Sequence, residues 1–429
     1  MPPLTEKSYR FPFILITSLF FLWGFAHNLD PVLIPHLKKS FTLTTTQSTL
    51  VDSAVFIAYF LMALPAGMII KKFGYKIGII SGLLFFAIGS FLFIPAADTQ
   101  SYEFFLVALF IIACGLTILE TAANPYASSL GPPETATQRL NLAQSFNGLA
   151  AALAPAIGVR IILTEGYTDA QLNTMTDAAR KVALASEASS VKTPYLILGT
   201  TLVIIAIIFA FSKLPKIQKD AGHVAAKNIF HAFRHRHLTW AVIAQFFYVG
   251  AQVCVLSLFL LYAPASSGIT EKSAGYYLSA CGLAFLIGRF LGTFLMKYVA
   301  PPRLLTIYAS INVLLCIVAI AAHGMITVYA VIGICFFMSI MFPTIFALGI
   351  YQLKGDTEFG SSLIIMAIAG GAVLPPIFGY ISDATGNIQL GYIVPLVCFL
   401  VVLYFAWRGH RVKETREAAA ALTTSNNVL

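Results

Sequence analysis

Twelve apolar runs, each long enough to cross a bilayer as a helix, take up most of the chain. They centre on residues 11–36, 47–70, 77–96, 103–128, 140–163, 194–213, 238–263, 273–297, 303–322, 325–351, 359–381 and 390–408. A bilayer core offers no water to unpaired backbone groups, so runs of this length predict helices. Only 10% of the residues are charged, against about 25% in a soluble domain. The reading is an all-α membrane protein of twelve transmembrane helices. The net charge of +9 does not indicate a nucleic-acid partner, because the basic residues flank apolar runs and form no binding stripe. The first helix follows Met1-Pro2-Pro3-Leu4 without a short core and cleavage site, so it is expected to be retained.

Residues 214–237 differ in kind. They carry Lys216, Lys219, Lys227, Arg234 and Arg236 among Pro215, His223, His231, His235 and His237. This charged linker predicts two six-helix bundles, 1–213 and 238–429, the second with a C-terminal tail. The halves echo each other. Helix 2 ends in Gly67 followed by Lys71, Lys72 and Lys76, and helix 8 ends in Gly288, Arg289, Gly292 and Lys297. With both termini in the cytoplasm, the inner segments hold 19 of the 27 Lys and Arg and the outer loops hold 6. That asymmetry sets the expected orientation. The stretch Thr164–Lys192 then becomes an outer loop with a short amphipathic surface helix.

The polar residues inside the spans carry the functional reading. Glu120 follows sixteen uncharged residues, about 24 Å along its helix. An acid at such depth costs about 2.5–3.5 kcal/mol to insert, so it needs a partner, a cavity or a proton to carry. Asn124 follows one turn later, and Pro125 predicts a break there. Helix 1 places Trp23, His27 and Asp30 at spacings of four and three, with Asn28 beside them and Pro31 and Pro35 expected to kink the helix. An indole beside hydrogen-bonding groups suits a sugar, whose C–H face stacks while its hydroxyls pair; plain packing of Trp23 and His27 is the alternative. Asp52, early in helix 2, is either a third functional acid or a solvated one. Asn141, Gln144 and Asn147 in helix 5, and Gln245, Tyr248 and Gln252 in helix 7, form polar stripes. Pro343 in helix 10 predicts a break, and Gly370-Gly371 with Pro375-Pro376 a flexing point in helix 11. Arg160 and Arg289, near helix ends, read as structural.

Cys114, Cys254, Cys281, Cys316, Cys335 and Cys398 all lie in apolar runs without a C-x-x-C pair, so they read as small buried hydrophobes. No hydrolase or metallopeptidase motif occurs. Neither an enzyme nor a cofactor is expected.

Several segments together resemble the fucose–galactose–hexose transporter family of the major facilitator superfamily. They are Phe21-Leu-Trp-Gly24, Leu119-Glu-Thr-Ala-Ala-Asn-Pro125, Arg139-Leu-Asn-Leu-Ala-Gln144, Ala244-Gln-Phe-Phe-Tyr-Val-Gly-Ala-Gln252, Gly288-Arg-Phe and Pro343-Thr-Ile-Phe346. The likeness runs from helix 1 to helix 12. It implies a proton-coupled importer of a hexose or deoxyhexose in the inner membrane, with a sugar, a proton and the lipid bilayer as its partners; two halves that complete one cavity are expected to work as a monomer by alternating access. It implies that Glu120 couples the proton and that Trp23, Asn28 and Gln144 touch sugar. Two departures bear on the sugar. The family's Asn-Leu-Asn-Asp is Asn28-Leu-Asp30-Pro31 here, moving the acid about 100° around the helix; Asp52 is the other candidate for that outer role. Its Gln-Tyr before Pro-Thr-Ile-Phe is Met341-Phe342. The rival expectations are sodium-coupled or uncoupled sugar transport, and drug/proton antiport.

Overall fold

A computed structural model of the chain describes residues 3–5, 7–27, 50–99, 101–162, 174–176, 179, 192–215 and 229–412. The described residues form twelve long helices, several of them broken. They are α1 (Arg10–His27), α2 (Leu50–Phe73), α3 (Tyr75–Thr99), α4 (Tyr102–Ser129), α5 (Ala136–Ile162) and α6 (Lys192–Phe211). Then come α7 (Arg236–Ser257, continued by Phe259–Ser267), α8 (Glu271–Leu295), α9 (Pro301–Ala321) and α10 (Met325–Met338, resuming as Met341–Gly349). Last are α11 (Thr357–Met366, then Gly370–Thr385) and α12 (Ile388–Gly391, then Ile393–Tyr404). Ten are long and apolar enough among the described residues to cross a membrane. The other two, α1 and α5, each end against residues outside the description, at His27 and Ile162.

Local chemistry explains the ends. Ser101 caps α4 by accepting from the Phe104 N–H at 3.2 Å, and Thr270 caps α8 by accepting from the Ser273 N–H at 3.3 Å. Gly268 and Gly386 close α7 and α11 at φ 72° and 64°, where a side chain would strain the backbone. Helices α2, α3, α4 and α6 pack on one another and α1 packs on α5; α7 packs on α11 and α12, and α9 on α10 and α12. Small residues allow the close crossings. A Cβ on Gly115 of α4 would lie 2.5 Å from the Phe86 backbone nitrogen of α3. Outward rows such as Ile57, Phe60 and Leu61, or Ile204, Ile207 and Ile208, remain exposed, as a lipid-facing surface requires.

Two prolines behave differently, and each has a physical cause. Pro343 coincides with the expected break: α10 unwinds at Ser339–Ile340 and restarts at Met341. Pro125 does not break α4, which runs on to Ser129. A proline has no N–H, so it frees the carbonyl four residues earlier. For Pro125 that carbonyl belongs to Thr121, and the Ser361 hydroxyl of α11 donates to it at 2.9 Å. A distant helix satisfies what the proline exposed, so α4 stays helical.

Arg139, fully buried near the start of α5, ties up the end of α4. Its Nη1 donates to the carbonyls of Leu4 (3.0 Å) and Pro132 (2.9 Å) and to the Thr135 hydroxyl (2.6 Å). Its Nη2 donates to the carbonyls of Ser128 and Gly131. These are the orphan acceptors of a helix C-terminus, where a cation is favoured. Replacing Arg139 by Ala strands them in a buried site, at a cost of about 3 kcal/mol. We expect R139A to lower the melting temperature of the purified protein markedly. R139K should recover little of it, because one ammonium cannot span both sides of the turn.

Candidate functional site

Glu120 sits in the last third of α4, and its carboxylate has a partner that sequence reasoning missed. The Tyr59 hydroxyl of α2 donates to Glu120 Oε1 at 2.7 Å, and Tyr59 is only 4% exposed. One turn on, the Asn124 amide donates to the Glu120 backbone carbonyl at 2.8 Å, while its oxygen accepts from the Gln144 amide of α5 at 3.0 Å. Tyr59, Glu120, Asn124 and Gln144 thus form one polar chain across three helices, and Asn124 and Gln144 are buried.

The α5 stripe reaches three different neighbours. Asn141 donates to the Thr344 hydroxyl of α10 at 3.1 Å; Gln144 meets α4; Asn147 lies against Gly24 of α1, where a Cβ would come within 2.7 Å of Asn147 Nδ2. Residues three apart fall 60° short of a full turn, so a three-spaced stripe winds around the helix. Trp23, next to Gly24, is buried, with its ring 4.1 Å from that of Phe20. The structure therefore sets Asn147 against Gly24 of α1, the neighbour of Trp23, and joins Gln144 to Asn124 and the Glu120 backbone of α4.

The opposite half supplies α7. Gln245 and Tyr248 are fully buried, and Gln252 is half-buried. Neither end of the Gln245 amide has a hydrogen-bond partner among the described residues. The Tyr248 ring stands edge-on to Phe342 of α10 at 6.5 Å. A buried unpaired amide is expensive; Gln245 shares this state with the Tyr248 hydroxyl and with the Asn312 amide of α9. Asn28, Asp30, Pro31 and Pro35 lie outside the described residues, as does most of the Thr164–Lys192 stretch expected to hold a surface helix. The backbones of His27 and Asp52 are helical, and their side chains lie outside the description.

Arg289, read from the sequence as structural, holds backbone carbonyls of both halves. It is buried at 5% exposure, with Nε donating to the Ser339 carbonyl at 2.8 Å and Nη1 to the Gln144 carbonyl of the other half at 3.0 Å. Gln138 of α5 likewise donates to the Thr293 carbonyl of α8 at 3.2 Å. These contacts, with Asn141–Thr344 and Ser361–Thr121, join the two sets of helices at the end where Lys71, Lys72, Lys76 and Lys297 lie.

The Tyr59 hydroxyl can be tested without disturbing packing. Tyr59→Phe should slow uphill uptake of solute about tenfold, the scale of one hydrogen bond to a charged group. Exchange of labelled for unlabelled solute should persist. A variant that accumulates like the wild type would remove Tyr59 from the site.

Comparison with known proteins agrees with this geometry. The Major Facilitator Superfamily model matches residues 13–354. The chain is 43% identical to the L-fucose-proton symporter of Escherichia coli K12, over 94% of this chain and 93% of that protein. It is 40% identical to the glucose/galactose transporter of Brucella abortus, over 95% and 96%. The fold superimposes on the crystal structure of FucP in the outward conformation with a TM-score of 0.88 at 42% identity, covering 95% of this chain and all of that one. These relatives are transporters, not enzymes.

Proposed function

We propose that this chain, which belongs to the major facilitator superfamily, is a proton-coupled symporter that carries a hexose or deoxyhexose across the membrane. The observation that carries the reading is the polar chain Tyr59–Glu120–Asn124–Gln144 inside a helix bundle. It joins a carboxyl able to hold one proton to amides suited to sugar hydroxyls. Curated relatives at 43% and 40% identity named for fucose–proton symport and glucose/galactose transport support the same substrate class.

In this reading Glu120 is the coupling acid, with Asp30 and Asp52 nearer the outer face. Trp23 offers its indole to the sugar's apolar face. His27, Asn28, Asn124, Gln144 and Asn147 serve the hydroxyls from the N-terminal bundle (1–213), and Gln245, Tyr248 and Gln252 from the C-terminal one (238–429), with 214–237 as the link between them. The basic helix ends face the cytoplasm, as do both termini of a monomer. The two bundles rock about the site. Protonation neutralises Glu120 and makes it cheap to enclose with sugar; loss of the proton to the cytoplasm leaves a charge that opposes closing the empty site.

The test is external pH in a weakly buffered suspension of de-energised cells expressing the protein. L-fucose, D-galactose, D-glucose and D-mannose are added in turn. Alkalinisation with one of them is the expected result and identifies the substrate. Uptake of labelled sugar with no pH change would move coupling to sodium or to none.

A further inference from the structure

Every membrane-embedded proline exposes one carbonyl, and two of these carbonyls lie at the meeting of the bundles. Pro125 frees the carbonyl of Thr121, next to Glu120; Pro343 frees that of Ser339. Each is taken by a side chain that also concerns the other bundle. Ser361 crosses from α11 to the Thr121 carbonyl at 2.9 Å. Arg289 holds the Ser339 carbonyl at 2.8 Å with Nε and reaches across to the Gln144 carbonyl at 3.0 Å with Nη1. Its guanidinium also rests on the Phe285 ring at 4.5 Å from the centroid. Thr121, Ser339 and Ser361 are fully buried, so water does not replace these donors while the bundles are together.

We propose that Arg289 and Ser361 are positioning residues that form a two-point latch on the cytoplasmic side of Glu120, holding the inner ends of the bundles closed. The guanidinium sits one residue's length from the polar chain that ends at Glu120, because the residue whose carbonyl it holds, Gln144, also donates its amide to Asn124. Movement of α4 and α5 that breaks this alignment releases Arg289 from Gln144 while leaving it on Ser339. Opening inward costs the cross-bundle bond alone, and the arginine remains half satisfied on its own bundle. A carbonyl acceptor, unlike a carboxylate, does not trap the cation, so the latch can reopen in every cycle.

The closing experiment reads distance rather than transport. Spin labels are placed at Lys213→Cys and Lys297→Cys, two exposed sites at basic helix ends of opposite bundles; the six native cysteines are buried. Arg289→Gln should raise the population with the longer inter-label distance about tenfold, the scale of one charge-assisted hydrogen bond. Ser361→Ala should shift it in the same direction by a smaller factor, and R289K should restore only part of the short-distance population, because one ammonium does not reproduce the Nε and Nη1 bonds together. If R289Q does not fold, S361A alone decides. Unchanged distances in the folded variants would overturn the latch, whether or not uptake is lost. The latch deepens the symport reading, but the two fail separately: distances can shift in a protein that never alkalinises its medium, and the reverse is equally measurable.

Discussion

Glu120→Gln exchanges labelled for unlabelled sugar across the membrane but fails to accumulate it. The amide has the shape of the protonated acid, and its oxygen can still accept the Tyr59 hydroxyl now 2.7 Å from Oε1. The Asn124 bond runs to the Glu120 backbone, so it survives the substitution. Binding and the rocking of a loaded site therefore remain possible. What is lost is the return step, which needs a group that gives up its proton on one side only. One elementary charge moved through 100 mV is worth about 2.3 kcal/mol, or roughly a fiftyfold concentration ratio at 1.4 kcal/mol per decade. In proteoliposomes with an imposed potential, the wild type should approach that ratio and E120Q should stop at one. Counterflow in the same vesicles should continue. Uphill accumulation by E120Q would remove Glu120 from the coupling step, and loss of counterflow would make it a folding or binding residue instead.

The features that the sequence showed well are those the bilayer itself enforces. The spans were readable because twenty apolar residues have one option in hydrocarbon, and the helix limits that fall on described residues lie close to the expected ones. Glu120 was readable for the converse reason, since a charge in such a run stands out whatever it touches. Its partner was not. Tyr59 lies in Ala58-Tyr59-Phe60, where an aromatic residue passes for packing, and only the crossing of α2 and α4 gives its hydroxyl a target. The Pro125 break failed through distance along the chain. Local rules end a helix there, and the remedy is Ser361, 240 residues from the Thr121 carbonyl it satisfies. Arg289 was set aside as a helix-end cation. Its function in the fold depends on two carbonyls, at Gln144 and Ser339, and a carbonyl leaves no mark in a sequence unless a proline announces it. Pro343 was read as a break, which it is; that the freed acceptor would hold an arginine follows only from the packing of α8 against α10.

Gly67→Leu should close down transport more completely than loss of either latch residue. Gly67 lies near the basic end of α2, where α11 of the other bundle passes against it. A Cβ there would overlap the Ser362 hydroxyl and come within 3.1 Å of the Glu358 carbonyl. Ser362 could rotate away, but the carbonyl belongs to the first turn of α11 and cannot yield without moving the helix. Leucine adds three further carbons to that overlap, so the bundles must part at this end. Overpacking of this kind costs about 1–3 kcal/mol in a rigid core, which shifts a two-state balance by roughly ten- to a hundredfold. Here it all falls on the state with closed inner ends, because the inward-open state separates α2 from α11. The expected result is more than tenfold slower uptake at normal membrane levels, with sugar binding retained in inside-out vesicles and weakened in right-side-out ones. Gly67→Ala should show the same asymmetry to a smaller degree, since one methyl leaves room for Ser362 to turn. Equal binding from both sides would mean that α2 and α11 do not separate during transport, and the hinge between the bundles would then have to lie at this end.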